Sequence, residues 1–353
     1  MHEPIRTGVV GFGLAGRVFH TAVIQSTPGL ELACVVQRSG DDAKKEYPEA
    51  HVARSVEEML CDVGIQLVVI ATPSYSHYEL ARQCLHEQRH VIIDKPFTLT
   101  SEEAEKLIHM ARHRNLLLTA YQNRRWDGDF QTIRRVMASG DLGRLVTLES
   151  HFDRFRPDPR RDVWRESGGP GGGLLFDLGP HLIDQATVLF GLPDTLSASV
   201  RVERDAAVAD DAFDIELAYE CQRLTVFLRA TLTACTPGPR FVLHGTRGSF
   251  VKWGLDPQEE QLRGGMRPDA PGFGEEPESR WGELHVEEQP PQRVPTLRGD
   301  YRAFYENVRD VLPGKAKLVV TPEQAWRTTR LIELARESSS HGRRLRVDIG
   351  SEP

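Results

Sequence analysis

A glycine-rich turn near the N-terminus constrains the fold more strongly than any other feature of this sequence. Ile5–Val10 has the apolar composition of a buried strand and runs directly into a G-x-G-x-x-G pattern. That pattern consists of Gly11, Phe12, Gly13, Leu14, Ala15 and Gly16. A helical stretch to about Ser26 and a second strand, Glu31–Val36, follow it. In such a βαβ unit the glycines allow a tight turn, close approach of a pyrophosphate and close helix–strand packing. We therefore predict a dinucleotide site rather than a purely structural turn.

The residues after the second strand bear on which dinucleotide binds. An NAD site usually has Asp or Glu there to accept hydrogen bonds from the ribose 2′-OH, whereas this chain has Gln37, Arg38 and Ser39. Arg38 can stack on adenine and pair with a 2′-phosphate, and Ser39 can donate a hydrogen bond to it. The alternative is that Arg38 is solvated and that Asp41 or Asp42 reaches the ribose. We favour NADP, with NAD as the other possibility.

The alternation of strands and helices continues to about residue 121. Leu67–Ile70, Val91–Ile93 and Leu116–Ala120 are short apolar runs typical of buried strands, and amphipathic stretches separate them. This order predicts a doubly wound parallel sheet for residues 1–121. Ligands of such sheets bind beyond the carboxyl ends of the strands. The residues expected to border the nicotinamide there are Thr72, Pro73, His77, Asp94 and Lys95.

Residues 122–353 have a different pattern, which predicts a second domain of the α+β type. After a helix near Phe130, successive strand-like segments between Leu145 and Trp253 have short connections, which favours a large, mostly antiparallel sheet. Few helices remain to cover it, so one face is expected to stay open or to be covered by another subunit in a homodimer or homotetramer. Residues 256–299 are rich in Pro, Gly and Glu and are expected to form a long surface loop. The terminal helix, about 321–340, is expected to pack back near the first domain.

A D-x-x-x-H segment in the second half is the main candidate for proton transfer. If the residues after Gly173 are helical, Asp177 and His181 lie on one face, where the carboxylate can orient the imidazole and stabilise its charged form. Asp184 is a competing partner for the same ring. A purely structural role for both residues is the alternative, but the strand-end Lys95 and the nucleotide fold favour a catalytic one.

Composition excludes several other classes of protein. The formal net charge of -7 argues against nucleic acid as a partner. No apolar run approaches the roughly 20 residues that cross a bilayer. Residues 1–6 pass directly into a strand without a signal-peptide pattern, and the five cysteines form no C-x-x-C pair. We therefore expect reduced thiols, no metal site and a cytoplasmic location.

Three motifs together resemble the Gfo/Idh/MocA oxidoreductases, the family of glucose–fructose oxidoreductase and inositol dehydrogenase. They are Gly11–Gly16, Asp94-Lys95-Pro96 and Gly171–Asp184, and the resemblance extends over essentially the whole chain. The segments 17–20, 151–157 and 254–260 resemble the branch that contains NADP-dependent scyllo-inositol dehydrogenases and uncharacterised bacterial relatives. The usual E-K-P of the family is D-K-P here. The resemblance implies that Lys95, Asp177 and His181 are catalytic, and that the Lys95–Pro96 bond is cis.

The combined interpretation is an NAD(P)-dependent dehydrogenase that oxidises a secondary alcohol of a cyclic polyol or sugar. His181 would take the hydroxyl proton, Lys95 would hydrogen-bond the same oxygen and Asp177 would hold the imidazole. The candidate substrate contacts are Asn123, Arg124, Arg156 and Trp164. Two alternatives remain at this point: a redox-neutral NAD-dependent glycoside hydrolase, and a non-catalytic NADP-sensing protein.

Overall fold

The first part of the chain forms a six-stranded, wholly parallel sheet. The computed structural model describes residues 3–160, 163–350 and 352–353. Residues 1–2, 161–162 and 351 lie outside them. The strands are β1 Ile5–Val10, β2 Leu30–Val36, β3 His51–Ala53, β4 Leu67–Ile70, β5 His90–Ile93 and β6 Leu118–Ala120. Their order, β3-β2-β1-β4-β5-β6, is that of a Rossmann fold, which confirms the predicted doubly wound sheet.

Short helices connect these strands across both faces of the sheet. A π-helical segment, Ala15–Thr21, continues into α1 Ala22–Gln25, and the others are α2 Asp42–Glu46, α3 Val56–Leu60, α4 His77–His86 and α5 Ser101–His113. The apolar side of α5 is buried as its periodicity predicted, through Ala104, Leu107, Ile108 and Ala111. The sequence interpretation did not identify β3, α2 or α3, because three to five residues are too few to establish a periodicity.

The second part of the chain forms a nine-stranded sheet. Its strands are β7 Leu145–His151, β8 Thr195–Arg201, β9 Ala212–Tyr219, β10 Leu224–Thr231, β11 Phe241–Gly245, β12 Gly248–Lys252, β13 Gly282–Val286, β14 Gln292–Val294 and β15 Leu345–Arg346. The order is β14-β13-β12-β11-β7-β10-β9-β8-β15, and within this sheet β7 with β10 is the one parallel pair among the described strands. The predicted mostly antiparallel sheet is therefore confirmed.

Helices cover one face of this sheet and leave the other exposed. The helices of this part are α6 Gly128–Ser139, α7 Leu174–Phe190, α8 Gln258–Arg263, α9 Arg302–Val311 and α10 Pro322–His341. Apolar residues of α6, α7 and α10 pack with those of the sheet in one core. On β10 the buried Val226 and Leu228 alternate with the half-buried Phe227 and the exposed Arg229. This alternation is that of a sheet with one packed and one open face.

Two segments depart from the predicted pattern. The stretch 256–299, expected to be a solvated loop, contains α8, β13 and β14 and extends the sheet. Leu262 and Phe273 of this stretch are buried in the first core, which is the apolar cluster around the six-stranded sheet. This long-range contact is not visible in the local composition. Helix α10 contacts both halves: Trp326 packs in the first core, and Leu331 and Ile332 pack in the second. No helix in the described part of the chain is long and apolar enough to cross a membrane.

Candidate active site

The glycine turn after β1 has the three properties that a pyrophosphate site requires. Gly11 has φ +99°, a left-handed conformation that other residues rarely adopt. A Cβ on Gly16 would lie 1.9 Å from the carbonyl oxygen of Gly11, so the helix packs directly against the turn. A Cβ on Gly13 would meet nothing within 4 Å, so the backbone there is open to an approaching ligand. The residues present therefore fit a dinucleotide phosphate.

The loop after β2 presents a basic side chain and a hydroxyl to solvent. Arg38 and Ser39 are exposed, while the side chain of Gln37 turns inward and accepts a hydrogen bond from the backbone N–H of Ala43. Arg54, which the sequence interpretation did not identify, donates to the carbonyls of Gln37 and Gly40 and to the carboxylate of Asp41, the last at 2.6 Å. Asp41 is thus bound by Arg54, which follows β3. This contact weakens the alternative in which Asp41 binds the ribose.

The predicted residues at the ends of β4 and β5 lie together at the rim of the sheet. The ring nitrogens of His77 lie 2.9 Å from the carbonyl oxygen of Thr72 and 2.8 Å from that of Pro96. His77 is 1% exposed, so its ring joins these two loops. The expectation that this side chain borders the nicotinamide does not fit its burial. Thr72 and the adjacent Pro73 remain half-buried at this rim. The Lys95–Pro96 bond is cis, as the resemblance implied.

Asp94 is a second buried acid at the end of β5. One of its carboxylate oxygens accepts a hydrogen bond from the backbone N–H of Lys95 at 2.8 Å and lies 3.8 Å from the imidazole of His20. Burial alone would raise the pKa of Asp94, but His20, Lys95 and His77 outweigh it and lower that pKa. Asp94 is therefore an anion that holds the start of the Lys95 segment in place, and it lines the cavity described below.

Lys95 and Asp177 form the central contact of the site. The Lys95 ammonium donates to the Asp177 carboxylate at 2.9 Å and to the Asp177 carbonyl oxygen at 2.5 Å, although the residues are 82 positions apart. Arg165 approaches the same carboxylate at 3.2 Å. Burial alone would raise the pKa of Asp177, but Lys95 and Arg165, with Arg154, hold it well below its ordinary value. Asp177 is therefore a permanent anion that orients the lysine.

His181 lies one turn further along α7 but does not pair with Asp177. It is 4% exposed, and its Nδ1 is buried without a hydrogen-bond partner among the described residues. Burial, and then the charges of Lys95 and Arg124, lower the pKa of His181 well below its ordinary value. The expectation that Asp177 holds a charged imidazole is therefore wrong. The two residues share a helix face, but the lysine takes the carboxylate and the imidazole stays neutral.

Buried polar contacts fix α7 against the 3-10 turn Asn123–Trp126. Arg125 donates to both carboxylate oxygens of Asp184, at 2.7 and 2.8 Å, so Asp184 is unavailable to the imidazole. Gln185 donates to the carbonyl oxygen of Arg124 at 2.9 Å. Because these side-chain contacts tie the turn to α7, they set the positions of Asn123 and Arg124 relative to His181.

These residues surround one cavity of about 300 Å³ between the two sheets, within the size range of small-molecule sites. The predicted residues that line it are Leu14, Ala15, Asp94, Lys95, Asn123, Arg124, Arg156, Asp177 and His181. Trp164 is not among the lining residues. Its ring packs edge-on against Tyr75 and carries the guanidinium of Arg165 at 4.7 Å, so it supports the cavity through that arginine.

Sequence reasoning missed about half of the lining. The further residues are Phe19, Tyr121, Arg154, Arg160, Val163, Arg165, Leu178, Glu259 and Arg263. Glu259 accepts a hydrogen bond from Arg124 at 2.7 Å, across 135 positions of sequence. Arg154 and Glu259 belong to segments that carried the family resemblance, which was the one available signal. Nothing in the local pattern indicated that these segments meet.

Comparisons with known proteins agree with this arrangement. Residues 5–122 match the model of an oxidoreductase family, NAD-binding Rossmann fold, named GFO_IDH_MocA, and residues 134–349 match the model of its C-terminal alpha/beta domain. The uncharacterized oxidoreductase YdgJ of Escherichia coli is 40% identical, over 97% of this chain and 98% of that protein. The scyllo-inositol 2-dehydrogenase (NADP(+)) IolW of Bacillus subtilis is 34% identical, over 98% and 97%. A solved oxidoreductase structure from Yersinia pestis has a TM-score of 0.93 at 38% identity, with 99% of each chain covered.

Proposed function

The chain belongs to the Gfo/Idh/MocA oxidoreductase family, and on that basis we propose that it is an NADP-dependent dehydrogenase acting on a secondary alcohol of a cyclic polyol or sugar. The observation that carries this proposal is the pair formed by an anchored ammonium, Lys95, and a neutral, unpartnered imidazole, His181, in one cavity beside an open glycine turn. A relative of similar length, IolW, is named as an NADP(+)-dependent scyllo-inositol dehydrogenase. Residues 1–121 would bind the dinucleotide, and residues 122–353 would bind the substrate.

The chemistry of proton transfer follows from the two side chains. A bound nicotinamide supplies the hydride acceptor. Lys95 has three N–H donors; Asp177 accepts two of them, and the third is available to the substrate hydroxyl oxygen. His181 is neutral and can take the hydroxyl proton without first losing one of its own. As that proton leaves, the Lys95 ammonium stabilises the negative charge that develops on the oxygen.

The preference for NADP is supported by the loop after β2. Arg38 and Ser39 are exposed in this loop, and Asp41 is held by Arg54. A 2′-phosphate at this loop would meet a guanidinium and a hydroxyl, whereas a 2′-OH would have to compete with Arg54 for Asp41 or rely on Asp42.

The test is a spectrophotometric screen of inositols, aldoses and sugar acids with NADP and with NAD, followed by variants. Lys95→Ala and His181→Ala should each lower turnover on the order of a hundredfold or more, while NADPH binding, followed by fluorescence, stays within twofold. The matched controls Lys106→Ala and His109→Ala remove the same side-chain types from the exposed side of α5. Near-normal turnover in both site variants would refute the assigned roles.

The same screen separates the other two activities. A redox-neutral glycoside hydrolase would cleave glycosides without net formation of NADPH, and a sensing protein would bind NADPH but turn over nothing. The neutral imidazole beside an anchored ammonium favours the dehydrogenase, because a sensing protein has no need of a proton-transfer pair.

We also propose that the chain forms a homodimer or homotetramer through the open face of the nine-stranded sheet. On that face of β10, Phe227 is only half-buried by its own chain and Arg229 is exposed. Light scattering should give a mass of two or four chains. The mass of one chain would end this proposal.

A further inference from the structure

The cavity beside Lys95 has an excess of positive charge that a neutral sugar would not require. Among its described lining residues, seven side chains are cationic and three are carboxylates, although the whole protein has a net charge of -7. The cations are Lys95, Arg124, Arg154, Arg156, Arg160, Arg165 and Arg263, and the acids are Asp94, Asp177 and Glu259. The distribution of charge is therefore opposite to that of the chain as a whole.

Each of these acids is already shared among cations or other donors. Asp177 is contacted by Lys95 and Arg165. Glu259 is contacted by Arg124 at 2.7 Å and by Arg263 at 3.0 Å. Arg160 pairs outside this set, with Glu166. Among the described residues, Arg154 and Arg156 are the two lining arginines with no carboxylate oxygen within hydrogen-bond distance.

Arg154 and Arg156 are held side by side facing the cavity. Alternate residues of an extended segment share a face. The backbone N–H groups of Arg154 and Arg156 donate to the carbonyl oxygens of Thr231 and Leu232, and these bonds hold the segment at the end of β10. Phe155, between them, is 53% exposed on the opposite side. Both guanidiniums are therefore presented to the same space.

Neither guanidinium makes a hydrogen bond with a described residue. Within the described part of the chain, the nearest carboxylate oxygen to Arg154 is that of Glu259, at 4.0 Å, although the Arg154 side chain is only 19% exposed and stacks on Phe152. Burial lowers the pKa of Arg154 and, with the charge of Arg160, also that of Arg156. Desolvated cations without a hydrogen-bonded counter-ion are costly, and the planar fork of arginine suits a carboxylate or phosphate.

We propose that the substrate is an anionic carbohydrate, whose carboxylate or phosphate is held by Arg154 and Arg156 while a hydroxyl faces Lys95 and His181. This inference rests on the proposed dehydrogenase function and narrows its substrate class. Neither arginine is hydrogen-bonded to the proton-transfer pair, and we assign them to the part of the substrate that does not react. Such contacts are equally strong in the ground and transition states and act on KM more than on kcat.

The experiment compares matched neutral and anionic compounds with the full-length enzyme and NADP: D-glucose, D-glucuronate and D-glucose 6-phosphate, and myo-inositol with its 1-phosphate. At least one anionic compound should have a kcat/KM tenfold or more above its neutral analogue, and the glucuronate and phosphate arms distinguish the two oxyanions. Arg154→Gln and Arg156→Gln should each lower that kcat/KM by about 10- to 100-fold, mainly through KM. Arg134→Gln, an exposed position on α6, removes the same charge as a control.

The result distinguishes this inference from the dehydrogenase proposal. If neutral compounds are preferred and the two variants leave their kinetics unchanged, the anionic substrate is refuted and the dehydrogenase stands. If nothing is turned over, D-glucuronate and D-glucose 6-phosphate are titrated into the NADP-loaded protein by calorimetry. Binding that Arg156→Gln weakens at least tenfold supports the anion site. No binding of either compound refutes it. Weaker NADPH binding in the Arg154 and Arg156 variants would instead assign these arginines to the cofactor, contrary to the proposal.

Discussion

Alanine at two positions of the glycine turn should separate loss of stability from loss of cofactor binding. A methyl group on Gly16 would lie 1.9 Å from a carbonyl oxygen, whereas ordinary contact begins at 3.4 Å, so the turn and helix must separate by about 1.5 Å. Overpacking of this kind costs ~1–3 kcal/mol. The preference of a helix for alanine over glycine returns at most about 1 kcal/mol. Gly16→Ala should therefore lower the unfolding midpoint of the cofactor-free protein.

Gly13→Ala should have the opposite profile. Its methyl group meets nothing within 4 Å, and the backbone there is not left-handed, so the free energy of unfolding should change by less than about 0.5 kcal/mol. The methyl would nevertheless stand between the backbone N–H groups and a pyrophosphate. Losing one hydrogen bond to a charged group costs ~1.5–3 kcal/mol, which corresponds to a dissociation constant for NADPH about 10- to 100-fold higher.

Two measurements on each variant check this reasoning. Urea unfolding without cofactor gives the stability, and NADPH fluorescence titration gives the affinity. Gly169→Ala, whose methyl would make only an ordinary contact at 3.5 Å, is the control for both. Unchanged NADPH affinity in Gly13→Ala would show that the turn does not bind the phosphates in the way inferred here. Wild-type stability in Gly16→Ala would show that the helix does not pack against the turn as closely as described.

Three further predictions concern other parts of the site. Arg38→Ala should raise KM for NADP by about 10- to 100-fold in steady-state kinetics and leave KM for NAD unchanged; equal effects on both cofactors would contradict the 2′-phosphate contact. Arg125→Met leaves the buried Asp184 carboxylate unpaired and should lower the free energy of unfolding by ~3–5 kcal/mol in urea, most of which the double variant with Asp184→Leu should recover. Because the pKa of His181 lies well below its ordinary value of 6.5, the imidazole is already neutral at that pH. The kcat/KM for oxidation should therefore stay constant from pH 8 to pH 6.5 and fall only in more acidic solution; a fall above pH 6.5 that disappears in His181→Gln would refute this.

The parts of the fold set by local pattern were predictable from the sequence. Strand, glycine turn and helix follow one another within Ile5–Gln25, and their steric requirements are local, so the Rossmann half could be inferred directly. Lys95 could be placed at the carboxyl ends of the parallel strands because a buried strand ends just before it. The start of α10, expected at about residue 321, is also set locally: Thr321 and Gln324 form a reciprocal capping box.

The partners of the site residues could not be predicted, because they come from distant segments. Helical spacing correctly put Asp177 and His181 on one face, but spacing does not say which of several neighbours a carboxylate will bind. Lys95, at the end of a strand of the first sheet, binds the Asp177 carboxylate, because a full positive charge attracts the anion more strongly than a neutral imidazole does. The acid that meets Arg124 likewise comes from α8, in a stretch whose composition indicated a solvated loop.

Helix α10 determines how freely the two halves of the molecule can move. Glu333 accepts hydrogen bonds from the backbone and hydroxyl of Ser101 at the start of α5, while the same helix packs along β8 of the other sheet. Helix α10 thus connects the two halves of the molecule on either side of the cavity. A wide opening between the halves would have to break the contacts of α10 with one of them. Ligands should therefore enter a mouth of nearly constant width, so that the size of a molecule is selected at the entrance before any hydroxyl is recognised inside.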